Sequence, residues 1–482
     1  MKGITKVTAL TIIALMIATC AVTITADANH AATGNWSDST YADESWYDDS
    51  KSEFTLEDAG DLAGLATLVN EGNNFENITI NLVAGKTYDI SEHEWTPIGT
   101  GTRSGSGITD GSKTFNGTFN GNGATINGLT ITGTSTNADD AVGFFGIVSG
   151  GTVDGLVFTN VSINVSNSEM AGAVVGMMVN GATVQNCTAG SDSSEDSSSV
   201  TASRGNGGIV GRMTISGTIE GCTNYADIEA TGTKGNTGGI VGAAYYTGTD
   251  KTMTISDCHN YGVVKSAGMG VGGIVGLSAA NISDCSNNAN VSGTGTSIGG
   301  IVGEQKNYGT LANCTNYNEV SNGSSIPGES DSNPGGMGTG GIIGWIRYSG
   351  NDTQYPLSST IVLINCDNSG DITSQSTHNG GIVGAVYHSV EMTDCDNTGS
   401  VTGQNFTGGL IGGMQTVDEF HPDDGCRLLM VDNTTTGTVS GGAQSGGALG
   451  HFSSANDSTT KKCDVPNESN WTVYGNTISS IS

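Results

Sequence analysis

The stretch Gly272-Gly273-Ile274-Val275-Gly276-Leu277-Ser278-Ala279-Ala280-Asn281-Ile282-Ser283-Asp284-Cys285-Ser286-Asn287 decides how this chain folds, because both of its ends recur. The opening word, Gly-Gly-Ile-Val-Gly, stands also at 207–211, 238–242 and 299–303. It recurs unchanged at 380–384 and with small changes at 340–344 and 408–412, and looser copies lie at 143–146, 172–176 and 446–450. The closing word, Cys-x-Asn, recurs at Cys222/Asn224, Cys258/Asn260, Cys314/Asn316, Cys366/Asn368 and Cys395/Asn397. Cys187 begins a partial copy, and Val431-Asp432-Asn433 reads as a copy with Val in the Cys place. The full unit is about 28 residues long where the words are closest.

Each word brackets an apolar run of three to five residues between glycines. Such a run is too short for a helix and rich in β-branched side chains, so it reads as a strand. One unit cannot bury its own apolar face and must stack on its neighbours. Stacked in register, the strands are parallel and about 4.8 Å apart, so roughly ten coils make a shaft about 50 Å long. The expected fold is all-β, a parallel β-helix solenoid. Gly pairs are expected at corners that need positive φ.

In such a stack, equivalent residues form files along the axis. The Asn file is expected to bond its own turn and the Asn above and below. The Cys file lacks the paired spacing and convergence of a zinc site. Its side chains run parallel, which disfavours the dihedral a disulfide needs, so these thiols are expected buried and reduced. Cys426 and Cys463 lie outside the file and are candidates to pair with each other.

Composition agrees with a solenoid. The 482 residues include 76 Gly and 6 Pro, with 35% hydrophobic and 13% charged residues. That supplies many tight turns and enough apolar material for a long, thin core. The formal charge of −31 repels phosphate backbones, so nucleic acid is excluded as a partner. Clustered carboxylates leave Ca2+ as the one cofactor worth weighing, because hard cations prefer oxygen ligands.

The N-terminus reads as an export signal. Lys2 and Lys6 precede an uncharged run from Val7 to Ile24, and Ala26-Asp27-Ala28 offers a cleavage site. Thr19-Cys20 is a poor lipidation site, and no later run is long enough to span a bilayer. The expected organisation is a signal peptide over 1–28, an acidic aromatic leader over 29–54, and an N-terminal cap with first coils over 55–135. The repeat β-helix then runs over 136–450, with a C-terminal cap or edge strand over 451–482. The leader is either flexible or a packed edge. In the cap, Thr55-Leu56-Glu57-Asp58 reads as a capping box before a short helix carrying Leu62, Leu65, Leu68 and Val69. Ile78, Ile80 and Leu82 alternate as the first strand.

Trp95-Thr96-Pro97-Ile98-Gly99, the run Phe115–Gly123 and the run Thr125–Ile131 resemble the opening of GLUG-motif adhesin-like proteins. The Gly-Gly-Ile-Val-Gly words are similar to the GLUG motif itself, and the resemblance covers about residues 55–450. It implies a right-handed parallel β-helix on an exported microbial surface protein. The family also contains immunoglobulin-A-cleaving metallopeptidases, whose zinc signature is missing from this sequence.

No catalytic motif emerges. The seven His form no His-Glu-x-x-His pair, and no Gly-x-Ser-x-Gly elbow is present. Asp139-Asp140, Asp418-Glu419 and Asp423-Asp424 are the candidate acids of a β-helical lyase or glycosidase, with Arg347 as the candidate base-side cation. Insertions relative to the unit fall at 189–204, 322–338, 347–359 and 415–427. Loops on a rigid shaft are where recognition is expected, with Tyr245, Tyr246, Trp345, Tyr348 and Tyr355 as candidate ligand contacts. The expected function is an exported, cell-surface adhesin-like binder of a host, neighbouring-cell or matrix glycan or protein. The alternatives are a carbohydrate-active enzyme on the same fold and an architectural envelope protein.

Overall fold

The computed structural model describes residues 34–101, 103–105, 107–108, 111–134, 140–245, 252–306, 309–323, 338–347, 360–387, 389–416, 428–442, 444–454, 471–474 and 476–478. Within them the chain is a parallel β-helix. One sheet of 23 strands and three sheets of ten strands run the length of the shaft. Every pairing among them is parallel, and a two-stranded hairpin stands apart from them. A typical coil runs Met253–Ser256, then His259–Asn260 on the same large first sheet. It continues through Val264–Ser266 on the second, Gly270–Gly272 on the third and Val275–Ser278 on the fourth. The next coil repeats this in register, as Ile255↔Ile282 and Val275↔Val302 show.

The main core lies between the first and fourth sheets and includes Ile255, Cys258, Val275 and Ile282. A second, smaller core of Val264, Val271, Val291, Ile298, Val320, Ile372 and Val401 lies between the second and third sheets. What separates them is a waist built from the two words. A Cβ placed on Gly300 would lie 2.4 Å from Asn316 Cγ and 2.1 Å from the Gly341 carbonyl oxygen. Gly208 with Asn224 and Gly273 with Asn287 repeat this fit. The second glycine of each word therefore exists for close approach, not for positive φ, and the expectation about corner glycines is corrected.

The positive-φ corner lies just before each Cys. It falls at Asn186, Gly221, Asp257, Asp284, Asn313, Asn365, Asp394 and Asp432, with φ between 51° and 62°. Asn and Asp tolerate that region best among residues with a Cβ. Each thiol then donates to the carbonyl two residues back, as from Cys285 to Ser283 at 3.1 Å. The register also corrects one repeat. Thr435 pairs with Asn397, so Asn433, not Val431, stands in the Cys place. There it is buried and its Oδ1 accepts from the Cys395 N–H at 3.0 Å.

The N-terminal end departs from the sequence reading in two places. The first strand is β1 (Glu53–Leu56), paired with β2 (Thr79–Leu82). Thr55 is thus in a strand. Asp58 caps helix α1 (Ala59–Glu71), accepting from the N–H groups of Gly60 and Asp61. Gly72, in the left-handed region, ends it. Leu62, Leu65 and Val69 are fully buried in the main core. The leader from residue 34 onward is a packed edge. Trp36 is buried and donates to the Ile90 carbonyl, and Asp43 crosses α1 so closely that only glycine fits at position 64. At the far end Trp471–Tyr474 and Thr477–Ile478 extend the first sheet.

Candidate functional site

The Asn file is a continuous chain of hydrogen bonds. Asn224 donates to Asn260, Asn260 to Asn287, Asn287 to Asn316, Asn316 to Asn368 and Asn368 to Asn397, at 2.8–2.9 Å. The second amide hydrogen of each goes to the carbonyl two residues on, as from Asn260 to Gly262. Both donors are used within the wall, so this file has a structural role. Cys187, Cys222, Cys258, Cys285, Cys314, Cys366 and Cys395 are free and buried. Burial and the adjoining thiols push Cys258 well up, whereas hydrogen bonds from the adjoining thiols hold Cys222 and Cys285 well down. All seven are at most 1% exposed, so none of them is open to a substrate.

The third and fourth sheets join at the Gly-Gly corner, and on its outer side residues of the two face each other along a narrow cleft. One wall is the file that follows each Gly-Gly-Ile-Val-Gly word on the fourth sheet. It reads Ile147, Met177, Arg212, Ala243, Leu277, Glu304, Trp345, Ala385, Gly413 and His451. The other wall, on the third sheet, includes Gly270, Ser297, Gly338, His378 and Phe406 in register. Bulk on one wall meets smallness on the other. A Cβ on Gly413 would collide with the His378 ring, and Phe406 stacks on His451 at 4.2 Å.

Near the middle of this cleft the sequence departs from small and apolar residues. Glu304 is 2% exposed, and its Oε1 accepts from Arg347 Nη1 at 3.3 Å and lies 3.6 Å from Lys306 Nζ. Lys306 sits 4.5 Å from the Tyr245 ring centroid and Arg347 4.9 Å from that of Trp345. Trp345 in turn meets Tyr387 edge-on at 5.6 Å. Burial pushes the Lys306 ammonium below its ordinary range. Glu304 opposes that shift, while Arg347 and Arg212 reinforce it. Trp345 is 9% exposed, and its indole N–H has no hydrogen-bond partner among the described residues. Cations fixed against aromatic faces, with one buried donor unpaired among the described residues, are suited to meet a polar ligand.

Two of the five candidate contacts, Tyr245 and Trp345, are thus brought together, linked through Lys306, Glu304 and Arg347. They do not project on loops. Trp345 lies within the strand Ile343–Arg347, and Tyr245 directly follows the strand Val241–Ala244. Tyr246, Tyr348, Tyr355, Cys426 and Cys463 lie outside the described residues, as do Asp139, Asp418, Glu419, Asp423 and Asp424. Glu304 and Lys306 were not candidates from sequence. Aligning the repeats on their last glycine places Glu304 beside Trp345 and Lys306 beside Arg347, and that was the available signal.

A second outward feature also went unread. Tyr225 and Tyr261 stack at 4.9 Å, and Tyr317 follows two coils on, each just after the Asn of its Cys-x-Asn word. Among the described residues no three His, Cys, Asp or Glu side chains converge as a metal site would require. None of the described helices is long and apolar enough to cross a membrane.

The class these features define is a parallel β-helix with a cation- and aromatic-lined cleft. No family model and no curated protein matches the sequence. Among solved structures, the chain is similar to one provisionally described as an immunoglobulin A1 protease from Bacteroides ovatus. The identity is 17% and the TM-score 0.35, over 84% of this chain and 85% of that one.

Proposed function

We propose that this chain is an exported, cell-surface adhesin-like protein. Its ligand is a glycan, free or carried on a protein, of a host, a neighbouring cell or a matrix. The observation that carries the reading is the cluster of Tyr245, Glu304, Lys306, Trp345, Arg347 and Tyr387 in a cleft of the shaft. Trp345 and Tyr387 stand on successive rungs about 4.8 Å apart, and Tyr245 lies three rungs from Trp345, linked to it through Lys306. Because strands carry Trp345 and Tyr387, and Tyr245 directly follows one, little side-chain or backbone order has to be gained there on binding. The apolar N-terminal run with its small-residue cleavage site supports export.

A carbohydrate-active enzyme is the second reading, favoured by one observation. Lys306, with its depressed proton affinity, lies against the buried Glu304 carboxylate, and a lysine so lowered is a candidate general base. A glycan array followed by turnover assays on every hit separates these readings. Binding that Trp345→Ala reduces at least about ten-fold, without bond cleavage, supports the binder. Cleavage lost in Lys306→Met supports the enzyme. An array blank for the intact protein leaves the architectural role.

A further inference from the structure

Resting on the glycan-binding reading, we propose that this cleft is built for an acidic sugar, whose carboxylate is taken by Arg347, Lys306 and the Trp345 indole N–H. The first reason is charge. The whole chain carries only 16 Lys and Arg against 47 Asp and Glu. Two of those cations, Lys306 and Arg347, nonetheless stand side by side on this wall. Among the described residues, the carboxylate bonded to them is Glu304, shared between the two. Among the described residues this pair thus leaves one positive charge over, in a recess where screening is weak.

The second reason is register. Lys306 and Arg347 are direct partners on adjacent parallel strands, which sets like charges about 4.8 Å apart at the backbone. Like charges so placed repel unless an anion lies between them. Glu304 satisfies part of that demand. Arg347 remains 38% exposed and offers the remainder of its planar fork, the geometry that suits a carboxylate.

The third reason is independent of charge. The buried indole N–H of Trp345 lacks an acceptor among the described residues, which an incoming oxygen would supply. A phosphate would satisfy the same cations, so the test sets the two kinds of anion against each other.

The test uses the full secreted chain with alginate, polygalacturonate and hyaluronan, each against its carboxyl-reduced form. At least one acidic polymer is expected to bind roughly ten-fold or more tighter than its reduced form, with the preference shrinking as salt rises. Arg347→Lys, which keeps the charge and loses the fork, and Trp345→Phe, which keeps the ring and loses the N–H, are each expected to lower that preference several-fold with unchanged melting. Equal binding of acidic and reduced forms overturns the acidic seat and leaves the glycan reading standing. Binding of inorganic phosphate in preference to all three polymers overturns it also. If none of the six polymers binds, the inference fails, and the reading beneath it fails too only where the glycan array is blank.

Discussion

The two ends of the outer cleft have the same backbone and opposite chemistry. Toward the N-terminus the cleft is filled by Ile147, Met170, Met177 and Val179, which form an apolar cluster of their own with Ile108, Ala141 and Ile215 against them. The short hairpin of Arg103–Ser104 and Gly107–Ile108 brings Ile108 onto it, and Glu169 clamps the arrangement by pairing with both Arg103 and Arg204. Farther along, the same file carries Glu304 and Trp345, with Lys306 and Arg347 beside them. Register is unbroken between the two. The β-helix therefore fixes where a side chain stands, and the identity of that side chain decides whether the cleft is sealed or reactive.

The comparison holds only if both ends share one rigid frame, and the waist supplies it. Replacing Gly300 with Ala forces a methyl against the Gly341 carbonyl and the Asn316 amide. The obstructing atoms are backbone and a fully bonded side chain, so the cost is expected at about 3 kcal/mol or more, the upper range for overpacking. Chemical denaturation should show that loss, and hydrogen exchange should show it spreading along the Asn file in both directions. A Gly300→Ala protein as stable as the parent would remove the waist from this account.

The coil and its stacking were legible because repetition is a one-dimensional signal. A word that returns every rung must return to the same place. The waist was not legible, since sequence does not say whether a glycine serves a positive φ or a close approach. At Gly300 it is the approach, and the positive φ moved to Asn313, one residue before Cys314. The cleft was half legible. Trp345 and Tyr245 were visible as aromatics, but Glu304 and Lys306 are single departures in a file whose other members differ from coil to coil. A charge there looks like any solvated residue until the strands are paired.

A smaller effect sharpens the contrast itself. Met177→Ala empties a fully buried position in the sealed end, and about 2 kcal/mol of stability should be lost, the low end for such a change because the site lies near the surface. Glycan affinity should stay within two-fold of the parent, by the independence expected of distant sites. Trp345→Phe, which keeps the ring and loses the N–H, should do the reverse, sparing most stability and lowering binding several-fold. If Met177→Ala weakens binding as much as Trp345→Phe, the division of one cleft into a plug and a seat is wrong.

The smallest effect concerns protons and separates stability from binding at one residue. Burial, with Arg347 and Arg212, lowers the proton affinity of Lys306 from its ordinary value of 10.5, so the folded state holds that proton less tightly than the unfolded chain. Between the lowered value and 10.5 the unfolded state binds more protons, and stability therefore rises with pH. Below the lowered value the full cost of keeping the charge buried is present. Binding of an acidic glycan should run the other way, weakening through the same window as the ammonium is lost. Other groups titrate at alkaline pH, so the quantity to read is the difference between the parent and Lys306→Met, which has no charge to lose. Denaturation and binding curves taken across that window should diverge in opposite directions for the two proteins. Parallel curves would mean that Lys306 neither carries a buried charge nor meets the ligand, and the seat would then rest on Arg347 and Trp345 alone.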